Sequence, residues 1–387
     1  MVTRARLYGA TCCLVMAGTL AACLWPFRSP SNEVAWFAHG NGVCFGHHGT
    51  VLSRDRIRPP NVGKQSGWTL EIWLRPERVH QSHTILAFYN PERPSGFSLH
   101  QSQADLLVER KLWNRRYGGW AGKFYADNLF LSGRSAFVTL VSSPQETDVY
   151  VDGNLVRTVP RFVLSASDLS GQLVLANSPV ANDSWHGELR GLALYHRELT
   201  AEEVRQQYES WTRNGQANVS EGDCAVALYA FKEHCGDVIH NQVALGADLY
   251  IPKRYMELHH TLLGRPWDEY YPGWNYRKDV LINIGGFIPL GFFFYAYLSL
   301  AWPFRRSALV TIILGAVLSL TIEILQGYLP TRDSGLTDVI TNTLGTTAGV
   351  RLCQCASVVG ERFKCSRFSM LRFLGTLFTR DRLYART

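Results

Sequence analysis

The chain has 387 residues, room for two domains, with 46 % hydrophobic and 18 % charged residues and a formal net charge of +7. A mean hydropathy of −0.07 excludes a protein that lies in a membrane from end to end; the apolar residues gather instead near the two ends of the chain. No cysteine spacing of the metal-binding kind occurs among the nine cysteines.

The first patch is "LYGATCCLVMAGTLAACLW", Leu7–Trp25, behind Arg4 and Arg6. It is long enough to cross roughly 30 Å of hydrocarbon. Two readings stand side by side. It is an uncleaved anchor, or, because "LAAC" (Leu20–Cys23) fits a bacterial lipobox, a signal peptide cut before a lipidated Cys23. "LWPF" follows Leu20–Cys23 with no polar spacer, which favours the anchor. Both readings put the next segment outside the cytoplasm.

From about Val34 to Trp211 the chain reads as short strands with turn signals. "GWTLEIWLRP" (Gly67–Pro76) alternates Trp68, Leu70, Ile72 and Leu74 on one face. "HTILAFYN", "SGFSLHQS" and "DLLVERK" follow at the spacing of an antiparallel meander. "FVTLVSSPQETDVYVDGNLVRTV" reads as two strands and a hairpin, with the tight turn at Asp152-Gly153-Asn154. "GQLVLANS" and "WHGELRGLALYHREL" are two more strands. "TAEEVRQQYESW" is then a helix capped by Thr200, with Glu203 completing a capping box. Many short strands and one late helix predict an all-β two-sheet sandwich.

Within this region "KLWNRRYGGWAGKFY" (Lys111–Tyr125) is a long irregular stretch. Trp113, Tyr117 and Trp120 could stack on sugar rings while Arg115 and Arg116 bind acidic or hydroxyl groups; the competing reading is that the rings brace a loop or fill the core. Asp152, Asn177 and Asp183 fall in predicted loops and are the candidates for a calcium ion, although loop carboxylates are commonly turn residues. No other metal or cofactor is expected. Cys224 and Cys235 could close a short disulfide loop in an oxidising compartment.

Three further apolar segments follow: Val280–Trp302, Ala308–Leu329 and the less hydrophobic Leu336–Val359, which would span only if packed against the others. With an inner N-terminus, the inner segments hold Arg4 and Arg6, Arg305 and Arg306, and a tail after Gly360 with seven basic and two acidic residues. Their combined excess is larger than the net charge of the whole chain, so the rest is net acidic and the basic residues lie on one side, as the positive-inside rule requires. Four spans with both termini inside are therefore expected. The tail, "ERFKCSRFSMLRFLGTLF", mixes Arg and Lys with Phe, Met and Leu and reads as a lipid-facing interfacial segment, not as a nucleic-acid-binding one, because it follows a span.

Polar residues mark the ends of these spans. Glu323 and Gln326 share one helix face, as do Asp338 and Asn342, and Asp279 with Asn283. The loop "PTRDSGLTD" puts Arg332 and Asp333 next to them, and Gly345 and Gly349 form a GxxxG that lets helices approach closely. One outward-facing, charge-balanced nest of Asp279, Asn283, Glu323, Gln326, Arg332, Asp333, Asp338 and Asn342 is expected, since a lone buried carboxylate there would cost several kcal/mol.

The order of "GWTLEIWLRP", "VTLV…TDVYVDGNLV", "LVLAN" and "WHGELRGLALYHRELTAEEV" resembles the laminin-G-like, concanavalin A-type sandwiches. "ALYAFKEHCGDVIHNQVALGADLYIP" (Ala227–Pro252) looks like the opening strand of such a domain displaced to its end. This resemblance implies glycan or protein recognition. The laminarinase-type hydrolases of that family carry two Glu and an Asp on alternate residues of one strand, and Glu188 in "HGELRGLAL" is followed by Arg190 instead. "DVLINIGGFIPLGFFF" and "EILQGYLPTRDSGLTDVITNTLGTTAG" resemble the VanZ-like membrane family, bacterial proteins named after a teicoplanin-resistance accessory protein. Together the resemblances imply a multi-pass cell-membrane protein with an exported sandwich inserted in a four-span helical bundle. The expected segments are an anchor over 1–30, the sandwich over 31–252, a juxtamembrane stretch over 253–279, the VanZ-like core over 280–360 and a basic cytoplasmic tail over 361–387. The expected partners are membrane lipids and a cell-surface glycan or peptidoglycan-like ligand. The expected function is envelope or glycan binding linked to glycopeptide resistance or envelope maintenance. The alternative is a membrane enzyme acting on a lipid-linked or surface substrate, with Glu323 as acid/base and Arg332 holding an anionic group. Binding is favoured over catalysis, because no nucleophile is seen beside a base.

Overall fold

The computed structural model describes residues 2–58, 67–91, 93–112, 120–180, 182–219, 224–243, 246–259, 262–270 and 273–357. The chain divides into two compact units, one of residues Arg28–His260 with Pro330–Asp333, the other of Met1–Phe27, Thr261–Leu329 and Ser334–Thr387.

The first unit is a sandwich of two antiparallel sheets. In spatial order the first sheet holds β1 (Val34–Trp36), β2 (Val43–Phe45), β13 (Gly187–Tyr195), β4 (Trp68–Pro76), β9 (Ala136–Ser142), β10 (Glu146–Val151) and β11 (Asn154–Pro160), with β14 (Ala225–Tyr229) added along β13. The second holds β15 (Val238–Ile239), β16 (Leu249–Tyr250), β3 (Val51–Ser53), β12 (Gln172–Leu175), β5 (Ser82–Asn90), β6 (Arg93–Ser102), β7 (Asp105–Leu112) and β8 (Trp120–Ala126). The segment after residue 224 does return to complete the sandwich: β14 pairs with β13 and β16 pairs with β3. Tyr255 beyond it is also fully buried, its hydroxyl bonded to Asn177 and Asn182.

Alternation explains the core. Trp68, Leu70, Ile72 and Leu74 of β4 point between the sheets and meet Leu86, Phe88, Phe97, Leu99 and Val108 of the second sheet. The other face of β4 is buried too, because α2 (Ala201–Asn214) lies over it. Its Val204 and Trp211 pack on Phe137, Tyr150, Ala193 and Tyr195. Glu71 on that face is 0 % exposed and accepts from Trp211 Nε1 at 3.0 Å and Tyr195 Oη at 3.2 Å. The capping box at Thr200 and Glu203 is present as the sequence predicts. So is the hairpin turn, with Asp152 and Gly153 at φ of 50° and 78°, the left-handed pair a two-residue turn needs.

Cys224 and Cys235 are exposed and are not joined to each other. The reason is topological. The Cys224 carbonyl receives the His196 N–H at one end of β13, whereas Gly236, next to Cys235, takes the indole N–H of Trp36. Trp36 lies opposite Val43, which lies opposite Leu189 at the other end of β13. Seven residues of strand at about 3.3 Å each separate these positions.

The second unit is helical: α1 (Val2–Leu24), α3 (Pro266–Glu269), α4 (Trp274–Leu298), α5 (Phe304–Gln326) and a last helix, α6, over residues 336–357. Among the described residues three helices are long and apolar enough to cross a membrane: Ala5–Leu24, Tyr276–Leu298 and Phe304–Gln326. The fourth expected span is corrected by this. α6 is a helix, but its Thr341, Asn342, Thr346 and Gly345 form a polar, small-residue face that packs inside the unit. α5 presents a matching stripe of Ser307, Thr311, Gly315, Ser319 and Glu323, four residues apart and all buried.

Backbones approach closely where the sequence has glycine. A Cβ at Gly345 would collide with the carbonyl oxygen of Ile284 in α4, and one at Gly349 with that of Ile288. Gly291 of α4 lies against the Thr346 carbonyl in return. The GxxxG of α6 is thus a helix-packing face.

Candidate functional site

The polar residues of the helical unit are distributed over its helix contacts. Asn283 Nδ2 donates to Asp338 Oδ1 at 2.7 Å, tying α4 to α6. Asn342 Nδ2 donates to Ser319 Oγ at 2.9 Å, tying α6 to α5. Gln326 Nε2 donates to the Cys23 carbonyl at 2.9 Å, tying α5 to α1. Asn342 and Gln326 therefore bond to neighbours that their sequence spacing did not indicate. Asp279 is exposed near the start of α4, and Arg332 and Asp333 fall in the 330–333 segment that groups with the sandwich.

Glu323 is 1 % exposed, and its Oε2 accepts the Gly335 N–H at 2.9 Å, while Ser334 Oγ donates to the Glu323 carbonyl at 2.8 Å. The Glu269 carboxylate takes the Thr337 N–H at 3.3 Å. Glu269 and Asp338 lie within electrostatic reach of Glu323. Two carboxylates thus take backbone amides at the first turn of α6, where the helix presents unpaired N–H groups and the positive end of its dipole. Glu269 was not singled out by sequence reasoning. Its signal was local: an acidic residue in the aromatic stretch "RPWDEYY" before the second span.

In the sandwich, Trp113, Arg115, Arg116 and Tyr117 lie outside the described residues, and Trp120 opens β8 opposite Leu112. Of the calcium candidates, Asp152 accepts the Phe137 N–H beside the β10–β11 turn. Asn177 and Asp183 do meet, but Asn177 Oδ1 takes the N–H groups of Ser178 and Asp183 at 2.9 and 3.2 Å. No group of three metal-ligating side chains is found among the described residues.

Asp183 belongs to a different arrangement, on the outward face of the second sheet. Its Oδ1 lies 2.9 Å from His83 Nδ1, and its Oδ2 accepts from Thr84 N at 3.0 Å and Thr84 Oγ1 at 2.5 Å. Burial works against its charge, but the hydrogen bonds from His83 and Thr84 and the nearby imidazoles outweigh this and hold the carboxyl below its ordinary value. Thr84 Oγ1 is 3.0 Å from His100 Nδ1, and Ser98 Oγ is 2.8 Å from His100 Nε2. Glu109 Oε2 stands 3.8 Å from the same Nε2. Strand pairing explains the convergence. Ser98 and His100 are two apart on β6 and share its outer face, Glu109 lies opposite Ser98 on β7, and Thr84 lies opposite His100 on β5. Nearby, His47 and His83 flank His186 at ring distances of 4.2 and 5.5 Å. Burial, and the positive charge His47 and His83 would add, hold the His186 imidazole below its usual value.

Two antiparallel sheets closed by a returning C-terminal strand define the class of the first unit as a lectin-type β-sandwich. Residues 53–205 match the family model of the concanavalin A-like lectin/glucanases superfamily, and residues 237–357 match the VanZ/LLP1 model. The chain therefore carries a match to each of the two families that its motifs resemble. Among solved structures it is similar to the receptor binding domain of botulinum neurotoxin C/D mosaic serotype, with 12 % identity and a TM-score of 0.36, over 48 % of this chain and 46 % of that one. It is also similar to the botulinum neurotoxin serotype G binding domain (13 %, 0.36, 50 % and 48 %) and to the binding domain of Paraclostridial Mosquitocidal Protein 1 (12 %, 0.36, 48 % and 47 %). Less than half of each of these chains is covered, and a likeness of this size bears on neither ligand nor partner. No curated protein matches the chain.

Proposed function

We propose that this is a multi-pass membrane protein that holds its sandwich on the extracytoplasmic side, where it binds a cell-surface glycan or peptidoglycan-like polymer in envelope maintenance or glycopeptide resistance. The match of residues 53–205 to the lectin/glucanases superfamily carries this reading. The distribution of Arg and Lys supports the sidedness. The outward face of the second sheet, with a buried hydroxyl at Ser98 and half-buried imidazole and carboxylate groups at His100 and Glu109, has the donors and acceptors that sugar hydroxyls need. The Trp113–Trp120 stretch adds aromatic rings and the Arg115 and Arg116 guanidinium groups next to it in sequence.

The test is binding of the full-length protein in nanodiscs to an array of envelope glycans and peptidoglycan fragments. Retention of a glycan that is lost in the Trp113→Ala/Tyr117→Ala variant is the expected result, and no retention of any of them overturns the reading. Reporter fusions at Gly215 and Thr387 test the topology; an external C-terminus overturns it.

A second reading rests on the meeting of Glu269, Glu323 and Asp338 in the helical unit. In it the chain is a membrane enzyme on a lipid-linked substrate, with Glu323 as acid/base. Glu323→Gln separates the readings: loss of the cellular phenotype with unchanged glycan binding favours the enzyme.

A further inference from the structure

The hydrogen bonds around His100 have a direction. The Asp183 carboxylate only accepts, so the single proton of the Thr84 hydroxyl, 2.5 Å away, points to it. Thr84 Oγ1 must then accept from His100, which puts the imidazole proton on Nδ1. Nε2 is left with its lone pair facing Ser98 Oγ at 2.8 Å, the arrangement of a serine whose proton a base can take. Glu109, 3.8 Å from Nε2, stabilises the imidazolium that would form. The side chains of His100 and Glu109 are each 22 % exposed and reach solvent beside Ser98, which is 8 % exposed. Lys123 is exposed in the same cross-strand row as Ser98 and Glu109 and brings a cation to that face.

We propose that this face is a serine hydrolase site for small carboxylic esters, with Ser98 as nucleophile, His100 as general base and Thr84 and Asp183 as positioning residues. Ser98 Oγ attacks the acyl carbon as its proton passes to His100 Nε2. The carbonyl oxygen takes the electron pair, and Lys123 in the same cross-strand row adds positive charge to that face. When the C–O bond to the alcohol breaks, the pair goes to the alkoxide and His100 returns the proton, releasing the alcohol. Water then attacks the Ser98 ester, giving its proton to His100. Collapse releases the carboxylic acid, and His100 reprotonates Ser98. One water is consumed and no oxidant or cofactor is needed. This activity goes beyond glycan binding and is tested without a glycan.

The experiment uses the full-length protein in detergent micelles, with p-nitrophenyl acetate as substrate and a fluorophosphonate as covalent probe. The expected result is hydrolysis above background and a probe adduct that mass spectrometry places on Ser98, both lost in Ser98→Ala. His100→Gln should lower kcat by about 10²- to 10⁴-fold. Thr84→Val should lower kcat with KM unchanged and shift the pH profile, a change that a purely structural tie between the 177–186 loop and the sheet would not produce. If wild type that melts at the same temperature as Ser98→Ala gives neither adduct nor excess hydrolysis, the proposal is overturned. An adduct on any residue other than Ser98 overturns it as well.

Discussion

Glu323 Oε2 receives the backbone N–H of Gly335 at 2.9 Å, both groups being buried. The carboxylate substitutes for the missing turn before α6 and fixes where that helix starts. Glu323→Ala should leave the amide without an acceptor and destabilise the helical unit by about 1–3 kcal/mol. Glu323→Gln keeps an acceptor oxygen and should cost less. Thermal unfolding in detergent, comparing the two variants, checks the order; equal melting temperatures would show that the contact contributes nothing.

Gly345 and Gly349 leave no room for side chains against Ile284 and Ile288 of α4. Gly345→Val should force α4 and α6 apart at a cost of about 1–3 kcal/mol or more. Gly285 of α4 meets nothing within 4 Å, so Gly285→Ala is the control that should be tolerated. Membrane yield and melting temperature of the two variants measure this.

Burial, with the negative charge of Asp333, pushes the Glu257 carboxyl up to about 8. Its folded value is thus above its unfolded one near 4.3, so the folded state loses stability as pH rises from about 4 through about 8. Glu257→Gln removes this loss. Its advantage over wild type should be small at pH 4, grow through neutral pH and level off above pH 8, reaching at least about 1 kcal/mol. Melting curves from pH 4 to pH 9 check the shape; a flat difference would contradict it.

Asp183 behaves with the opposite sign. Its carboxyl is held below the ordinary value, so its contribution is fully present above the unfolded value near 3.9 and is lost as pH falls through the folded one. Asp183→Asn should destabilise the sandwich by about 1–3 kcal/mol at pH 7, and the gap to wild type should close as pH falls below 4. Tryptophan fluorescence during thermal unfolding at the two pH values is the measurement.

Local signals were read correctly because local physics decides them. β4 follows from alternation, the Asp152–Gly153 turn from its need for positive φ, and the capping box from the Thr200–Glu203 spacing. The helix face joining Gly345 and Gly349 was visible in the same way. The expected fourth span, already the least hydrophobic in the sequence, is not among the three apolar helices, because α6 has hydroxyls and an amide on the face it buries. Glu71 was invisible within an alternating strand, because nothing in β4 says that α2 will cover its second face. For the sheet-face site half the signal was present. "SLH" places Ser98 and His100 on one side of a strand, but Thr84 and Asp183 lie far away in the chain.

The sequence by itself determined the apolar helices, the strand periodicity, the caps and turns, and the two families that the chain resembles. The helices, strands, caps and turns depend on residues close together in the chain, and the resemblances on the order of such local motifs. Only the tertiary structure decided the partners of the polar groups far apart in the chain: Asn283 with Asp338, Asn342 with Ser319, Glu323 with Gly335, and Thr84 with His100 and Asp183. The reason is physical. A hydrogen bond needs two groups within about 3 Å, and that distance between residues 12 to 99 positions apart is set by the pairing register of strands and the close packing of helices, which no local pattern encodes.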